Sequence, residues 1–168
     1  MRLAKRYKWL FSFISAQIPF ISSFLVLMLS FADVGPHYAK PVLVLIPIFF
    51  WAMTKTAHME FISIMLFGFV EDFMDGTPFG LNIFIFLSLY FIVYYQKMFP
   101  LEESFIFSYL AFSVLTLVLF LFKYAVTVML FVPNLGFFNI LLSWAVLILL
   151  YPMFYYMLSR LYVLVRKY

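Results

Sequence analysis

The chain has 168 residues, of which 67% are hydrophobic, 24% aromatic and only 11% charged, and its formal net charge is +4. Soluble globular domains are about half apolar and about a quarter charged, so this composition excludes an ordinary soluble domain and favours an integral membrane protein. The chain contains no cysteine, which excludes disulfides, cysteine-ligated zinc and thiol chemistry.

Six apolar runs predict a six-transmembrane-helix bundle that forms one polytopic membrane domain, residues 1–168. The first run follows the basic segment MRLAKRYK. It is longer than the core of about 7 to 15 residues in a secretory signal peptide, so we expect it to be retained as a span. The predicted spans are residues 9–31, 41–53, 59–74, 79–96, 104–132 and 137–158.

The second and third runs are short for helices that cross a membrane. The apolar part of each has roughly 13 residues, which cover about 20 Å of a hydrocarbon core about 30 Å thick. A short span must borrow flanking residues, thin the bilayer or be shielded by neighbouring helices. We therefore predict that these two spans form a tight hairpin, buried inside the bundle, whose ends need not match the lipid.

The basic residues indicate the orientation of the six spans. An even number of spans places both termini on one side of the membrane, and the side with more Lys and Arg is the cytoplasmic one. Lys40 is the one loop lysine on the opposite side, so we expect cytoplasmic N- and C-termini. The predicted cytoplasmic set is Arg2, Lys5, Arg6, Lys8, Lys55, Lys97, Arg160, Arg166 and Lys167.

The stretch from Phe67 to Asn82, FGFVEDFMDGTPFGLN, carries most of the unusual chemistry of the chain. It contains three of the seven acidic residues and three of the five glycines. In a helical third span, Gly68 and Asp72 share one face, and Gly76 continues that face at the helix end. Small residues let a neighbouring backbone approach, and an acid on the same stripe faces protein rather than lipid. The candidate partner-binding or structural residues here are Gly68, Glu71, Asp72, Asp75, Gly76, Pro78 and Gly80.

The acidic residues of this stretch have two interpretations. They mark the solvent-exposed outer end of a short helix, or they serve a function inside the membrane. Lys123 lies in the fifth span at about the predicted depth of Glu71 and Asp72. We expect Lys123 to pair with Asp72 or Glu71 and so to lock the third span to the fifth; the alternative is a lysine that snorkels alone to the outer headgroups.

The sequence has no pattern typical of an enzyme or a metal site. It shows no nucleophile beside a base, no phosphate-binding glycine loop and no metal-ligand spacing. His37 and His58 fall in predicted loops on opposite sides of the membrane, so they cannot bind one metal together. We therefore predict no catalytic, cofactor-binding or metal-binding residues, no cofactor and no nucleic-acid partner, whereas the basic ends favour anionic membrane lipid.

The segment from Gly68 to Gly80 resembles the signature of the rod shape-determining protein MreD family. In that family a helix with a Gly and an Asp four residues apart runs into a turn of Gly, a small residue and Gly that opens the next span. The chain length, the six predicted spans and the cytoplasmic termini agree with the family, whereas Glu71 and the 25 phenylalanines depart from it. The matching residues are Gly68, Asp72, Gly76, Pro78 and Gly80.

The resemblance implies a non-enzymatic scaffold subunit of the bacterial elongation complex in the cytoplasmic (inner) membrane, which helps direct peptidoglycan synthesis and cell shape. Such proteins bind MreC, a single-span protein with an extracytoplasmic domain, and act with the filament protein MreB, the glycosyltransferase RodA and a class B penicillin-binding protein. We expect the second and third spans to form a rigid centre. The turn from Asp72 to Gly80 then helps present a groove to a partner helix.

The MreD family is also similar to the substrate-binding S components of energy-coupling-factor vitamin transporters, which are six-helix bundles. This similarity gives an alternative function, a small-molecule binding subunit of an importer. A vitamin binder needs polar groups that converge in an outward-facing cavity. The predicted spans offer few such groups, namely Asn82, Ser88, Asn139 and Ser143.

Overall fold

The computed structural model describes residues 17–30, 41–54, 60–95, 104–130 and 136–166, and no strand occurs among them. The predicted all-α fold is confirmed for this part of the chain. The predicted loops that contain His37, Lys40, Lys55, His58 and Lys97 lie outside it. The helices are α1 (Gln17–Ser30), α2 (Leu45–Met53), α3 (Phe61–Asp75), α4 (Leu81–Tyr95), α5 (Phe105–Leu130) and α6 (Phe137–Arg166).

Two of these helices, α5 and α6, are long and apolar enough to cross a membrane. α5 has 26 residues and α6 has 30, whereas α3 and α4 have 15 each and α2 has nine. α6 continues to Arg166, past the predicted end at residue 158 and through Pro152. Proline removes one backbone N–H, and the buried side chains of Tyr151 and Phe154 on either side of it keep this part of the helix packed against the core.

The short helix α2 is the centre of the bundle, because all nine of its residues are buried. It packs mainly against α4 and α6, and the indole N–H of Trp51 donates to the hydroxyl of Ser22 in α1 at 3.0 Å. The predicted burial of this segment inside the bundle is therefore confirmed.

The predicted tight hairpin of the second and third spans is wrong. α3 packs most extensively against α4, and α2 and α3 are not among the helix pairs with extensive backbone contact. α3 buries only one face, which includes Ile64 and Phe67. The tight hairpin of this fold therefore consists of α3 and α4.

An aromatic cluster joins α2, α5 and α6. The ring of Tyr151 is fully buried and stacks on Phe112, with 4.5 Å between the ring centroids. Phe49 of α2 and Phe112 form a T-shaped pair, with 5.1 Å between the ring centroids. The hydroxyl of Ser108 donates to the sulfur of Met53 at 3.4 Å and lies 2.6 Å from the hydroxyl of Tyr151. Three helices thus share one polar contact inside an apolar core.

Candidate functional site

At Gly68 the backbones of α3 and α4 are in close contact. A Cβ atom at this position would lie 2.6 Å from the Cα atom and 2.7 Å from the backbone nitrogen of Ile83 in α4. Backbone atoms cannot move aside without separating the two helices. Gly68 therefore sets the helix spacing, and the prediction that this small residue allows a neighbouring backbone to approach is confirmed.

Asp72 lies one helical turn after Gly68, and its carboxylate binds the start of α4. Oδ2 accepts the backbone N–H of Gly80 at 2.7 Å, and Oδ1 accepts the backbone N–H of Asn82 at 2.8 Å. Oδ1 also accepts the hydroxyl of Thr77 at 3.0 Å. The first N–H groups of a helix have no partner within the helix, and its N-terminus attracts negative charge. Asp72 is thus an N-terminal cap supplied to α4 by α3.

Thr77 and Asn82 complete the polar contacts around Asp72. Asn82 is fully buried, and its side-chain amide donates to the hydroxyl oxygen of Thr77 at 3.2 Å. The sequence does not single out Thr77, and it indicates Asn82 only as a possible ligand group. The available signal was an acid near the end of one helix, about ten residues before the start of the next, because a carboxylate beside a helix N-terminus can accept its free N–H groups.

Two glycines with positive φ turn the backbone between α3 and α4. Gly76 follows the last residue of α3 with a φ of +62°, the left-handed conformation typical of a helix C-terminus. Gly80 has a φ of +97° directly before α4. Neither position is crowded, so the backbone conformation itself requires glycine. Between them, the carbonyl of Pro78 accepts the N–H of Leu81 at 3.1 Å.

Lys123 forms its ion pair with Asp75, the last residue of α3. The Nζ atom donates to Oδ2 of Asp75 at 3.1 Å, and the two side chains are 15% and 16% exposed. The predicted pairing of Lys123 with Asp72 or Glu71 is therefore wrong. Asp72 points at the first turn of α4, whereas Asp75, three residues further along α3, lies on the side that faces α5.

The interpretation of the three acids as a solvent-exposed helix end does not fit Glu71 and Asp72. Glu71 and Asp72 are buried, and Asp75 alone is partly exposed. The hairpin thus uses its acids in different ways, since Asp72 builds the connection to α4 and Asp75 connects α3 to α5.

Two of the four polar groups considered for a small-molecule pocket have contacts within the fold. The amide nitrogen of Asn82 is bonded to Thr77. The hydroxyl of Ser143 donates to the carbonyl of Asn139 in its own helix at 2.9 Å. Within the described ranges, no three His, Cys, Asp or Glu side chains are grouped to hold a metal ion.

Comparison with known proteins adds no relative. No protein-family model, no curated protein and no solved structure matches the sequence. The function must therefore be inferred from the geometry of the α3–α4 hairpin and from the resemblance carried by its motif.

Proposed function

We propose that the chain is a non-enzymatic, six-span subunit of the bacterial elongation complex, similar to MreD, in the cytoplasmic membrane with both termini in the cytoplasm. In this role it binds an MreC-like single-span protein and helps direct peptidoglycan synthesis and cell shape. The observation that carries the proposal is that the residues of the motif belong to one structural unit, the α3–α4 hairpin. These residues are Gly68, Asp72, Gly76, Pro78 and Gly80.

The bonding within the hairpin supports a scaffold rather than an enzyme. The carboxylate of Asp72 already accepts three hydrogen bonds from the chain itself. A carboxylate held in this way stabilises a backbone shape, whereas a general acid or base must reach a substrate. The motif residues therefore build a rigid turn, and the turn is the part that a partner recognises.

Phe79 gives this turn an exposed apolar contact. Its side chain is 73% exposed, and its ring stacks beside Phe69 of α3 with 6.1 Å between the centroids. An exposed aromatic side chain on a rigid backbone is a suitable anchor for a partner, because little conformational freedom is lost on binding. We propose that the MreC-like protein contacts the turn at Phe79, and that MreB, RodA and the penicillin-binding protein join in the larger complex.

The test is co-purification of the tagged chain from its native membrane with the variants Phe79→Ala and Phe138→Ala. Phe138 is the matched control, because it is also a phenylalanine, is equally exposed at 73% and lies in the first turn of α6. We expect the unmodified chain and Phe138→Ala to recover the single-span protein, and Phe79→Ala to lose most of it at equal membrane abundance. Equal recovery by both variants contradicts recognition at the turn.

The same experiment tests the alternative function. A small-molecule importer subunit co-purifies with paired ATPases and a coupling membrane protein. Recovery of those proteins instead of a single-span protein rejects the scaffold proposal, although the fold described above still holds.

A further inference from the structure

α3 is a short helix whose two ends are fixed by the backbone. Glu60, directly before it, is extended, with φ −66° and ψ 134°, and Gly76, directly after it, is left-handed. The helix therefore stops at 15 residues, which corresponds to about 22 Å. It cannot lengthen at either end without a change in one of these conformations.

The outer face of α3 is apolar over nearly its whole length. It is bounded by exposed Glu60 at one end and by the ion pair of Asp75 with Lys123 at the other. The turn does not extend the apolar face, because Phe79 folds back beside Phe69. The exposed large apolar side chains of this face are Phe61, Ile62, Met65, Leu66, Phe69, Phe73 and Met74.

The exposed apolar surface of α5 is much longer than that of α3. Its exposed apolar side chains extend from Phe105 to Leu130, a distance of about 37 Å along the helix. The exposed apolar surface is therefore shorter on α3, and longer on α5, than a hydrocarbon core of about 30 Å.

A short membrane helix has three ways to match the bilayer: shielding by neighbours, borrowed flanking residues, or a thinner bilayer. α2 is shielded, since all its residues are buried. Among the described residues none covers the outer face of α3, and the helix ends at the extended Glu60 and the left-handed Gly76, so no additional helical length is available at either end. Of the three ways to match the bilayer, local thinning is therefore the one left for α3.

We propose that the outer face of α3 is covered by phospholipid whose hydrocarbon layer is locally thinned to about 20 Å, so that shorter acyl chains collect on this side of the protein. This inference rests on the membrane location in the proposed function and is independent of the identity of any protein partner. The protein then borders a thin membrane at α3 and a membrane of ordinary thickness at α5.

The absence of cysteine allows a direct test with single labels. Phe69→Cys, at a position 53% exposed in the middle of α3, reports on the thin side, and Val118→Cys, at a position 59% exposed in the middle of α5, is the matched control. Each variant carries a thiol-linked fluorophore and is reconstituted in mixed vesicles of dimyristoleoyl- and dierucoyl-phosphatidylcholine. A nitroxide on one lipid and then on the other measures which lipid lies at the label.

We expect the short-chain lipid to be enriched about threefold at position 69 relative to position 118. Equal quenching ratios at the two positions overturn the proposal. Quenching at 118 but by neither lipid at 69 also overturns it, since a second copy of the chain then covers α3. No quenching at either position places both labels outside the bilayer and rejects the membrane location itself, whereas failure to recover an MreC-like protein leaves the lipid result unchanged.

Discussion

Asp72→Ala is the substitution with the largest expected effect on the hairpin. It removes three hydrogen bonds and leaves the N–H groups of Gly80 and Asn82 without their acceptor. Each unsatisfied buried group costs about 1–3 kcal/mol, and loss of an N-terminal cap costs about 0.5–2 kcal/mol. These costs overlap, so we expect the free energy of unfolding to fall by about 3–5 kcal/mol. The measurement is unfolding of the purified protein in detergent, followed by circular dichroism.

Two variants at the same helix end sharpen the test of Asp72. Asp72→Asn keeps the shape and one acceptor oxygen but turns an amide donor toward one N–H group. We therefore expect the free energy of unfolding to fall by about 1–3 kcal/mol. Asp75→Ala removes the partly exposed ion pair with Lys123, for which we expect less than about 1 kcal/mol. An Asp72→Ala protein as stable as Asp75→Ala would refute the assignment of Asp72 as the cap of α4.

Four further predictions use the same unfolding measurement. Gly68→Ala pushes α3 from α4 and should cost about 1–3 kcal/mol, whereas Gly76→Ala meets no atoms and should cost about 1–2 kcal/mol through its positive φ. Tyr151→Phe keeps the aromatic stacking but loses the bond to the Ser108 hydroxyl, which should cost about 1 kcal/mol. The double variant Asp75→Lys with Lys123→Asp, which exchanges the two charges, should recover most of the stability lost by Lys123→Ala. A Gly68→Ala protein of unchanged stability, or an exchange variant that recovers nothing, contradicts the contacts described.

The sequence predicts the pattern of the hairpin well because its signals are local. Gly68 and Asp72 share a helix face through their spacing of four, and Gly76 and Pro78 mark the turn directly. Which helix occupies that face is not a local property. The short length of the second and third runs favours α2, yet Gly68 admits the backbone of α4, and the bulky side chains of α2, including Trp51, fill the centre of the bundle instead.

The partner of Lys123 could not be derived for a related reason. A prediction of depth in the membrane does not separate Asp72 from Asp75, which lie about 4.5 Å apart along the helix axis. Their directions around the helix differ, and only the packed positions of α4 and α5 show which acid faces which helix. The predicted sixth span ends at residue 158 because the polar residues Ser159 and Arg160 follow, whereas the helix continues through them to Arg166.

The most direct test of the scaffold function is the identity of the proteins that co-purify with the unmodified chain from its native membrane in mild detergent. We predict a single-span protein with an extracytoplasmic domain, recovered in stable proportion to the chain. Recovery of paired ATPases with a coupling membrane protein, and of no single-span partner, would contradict it.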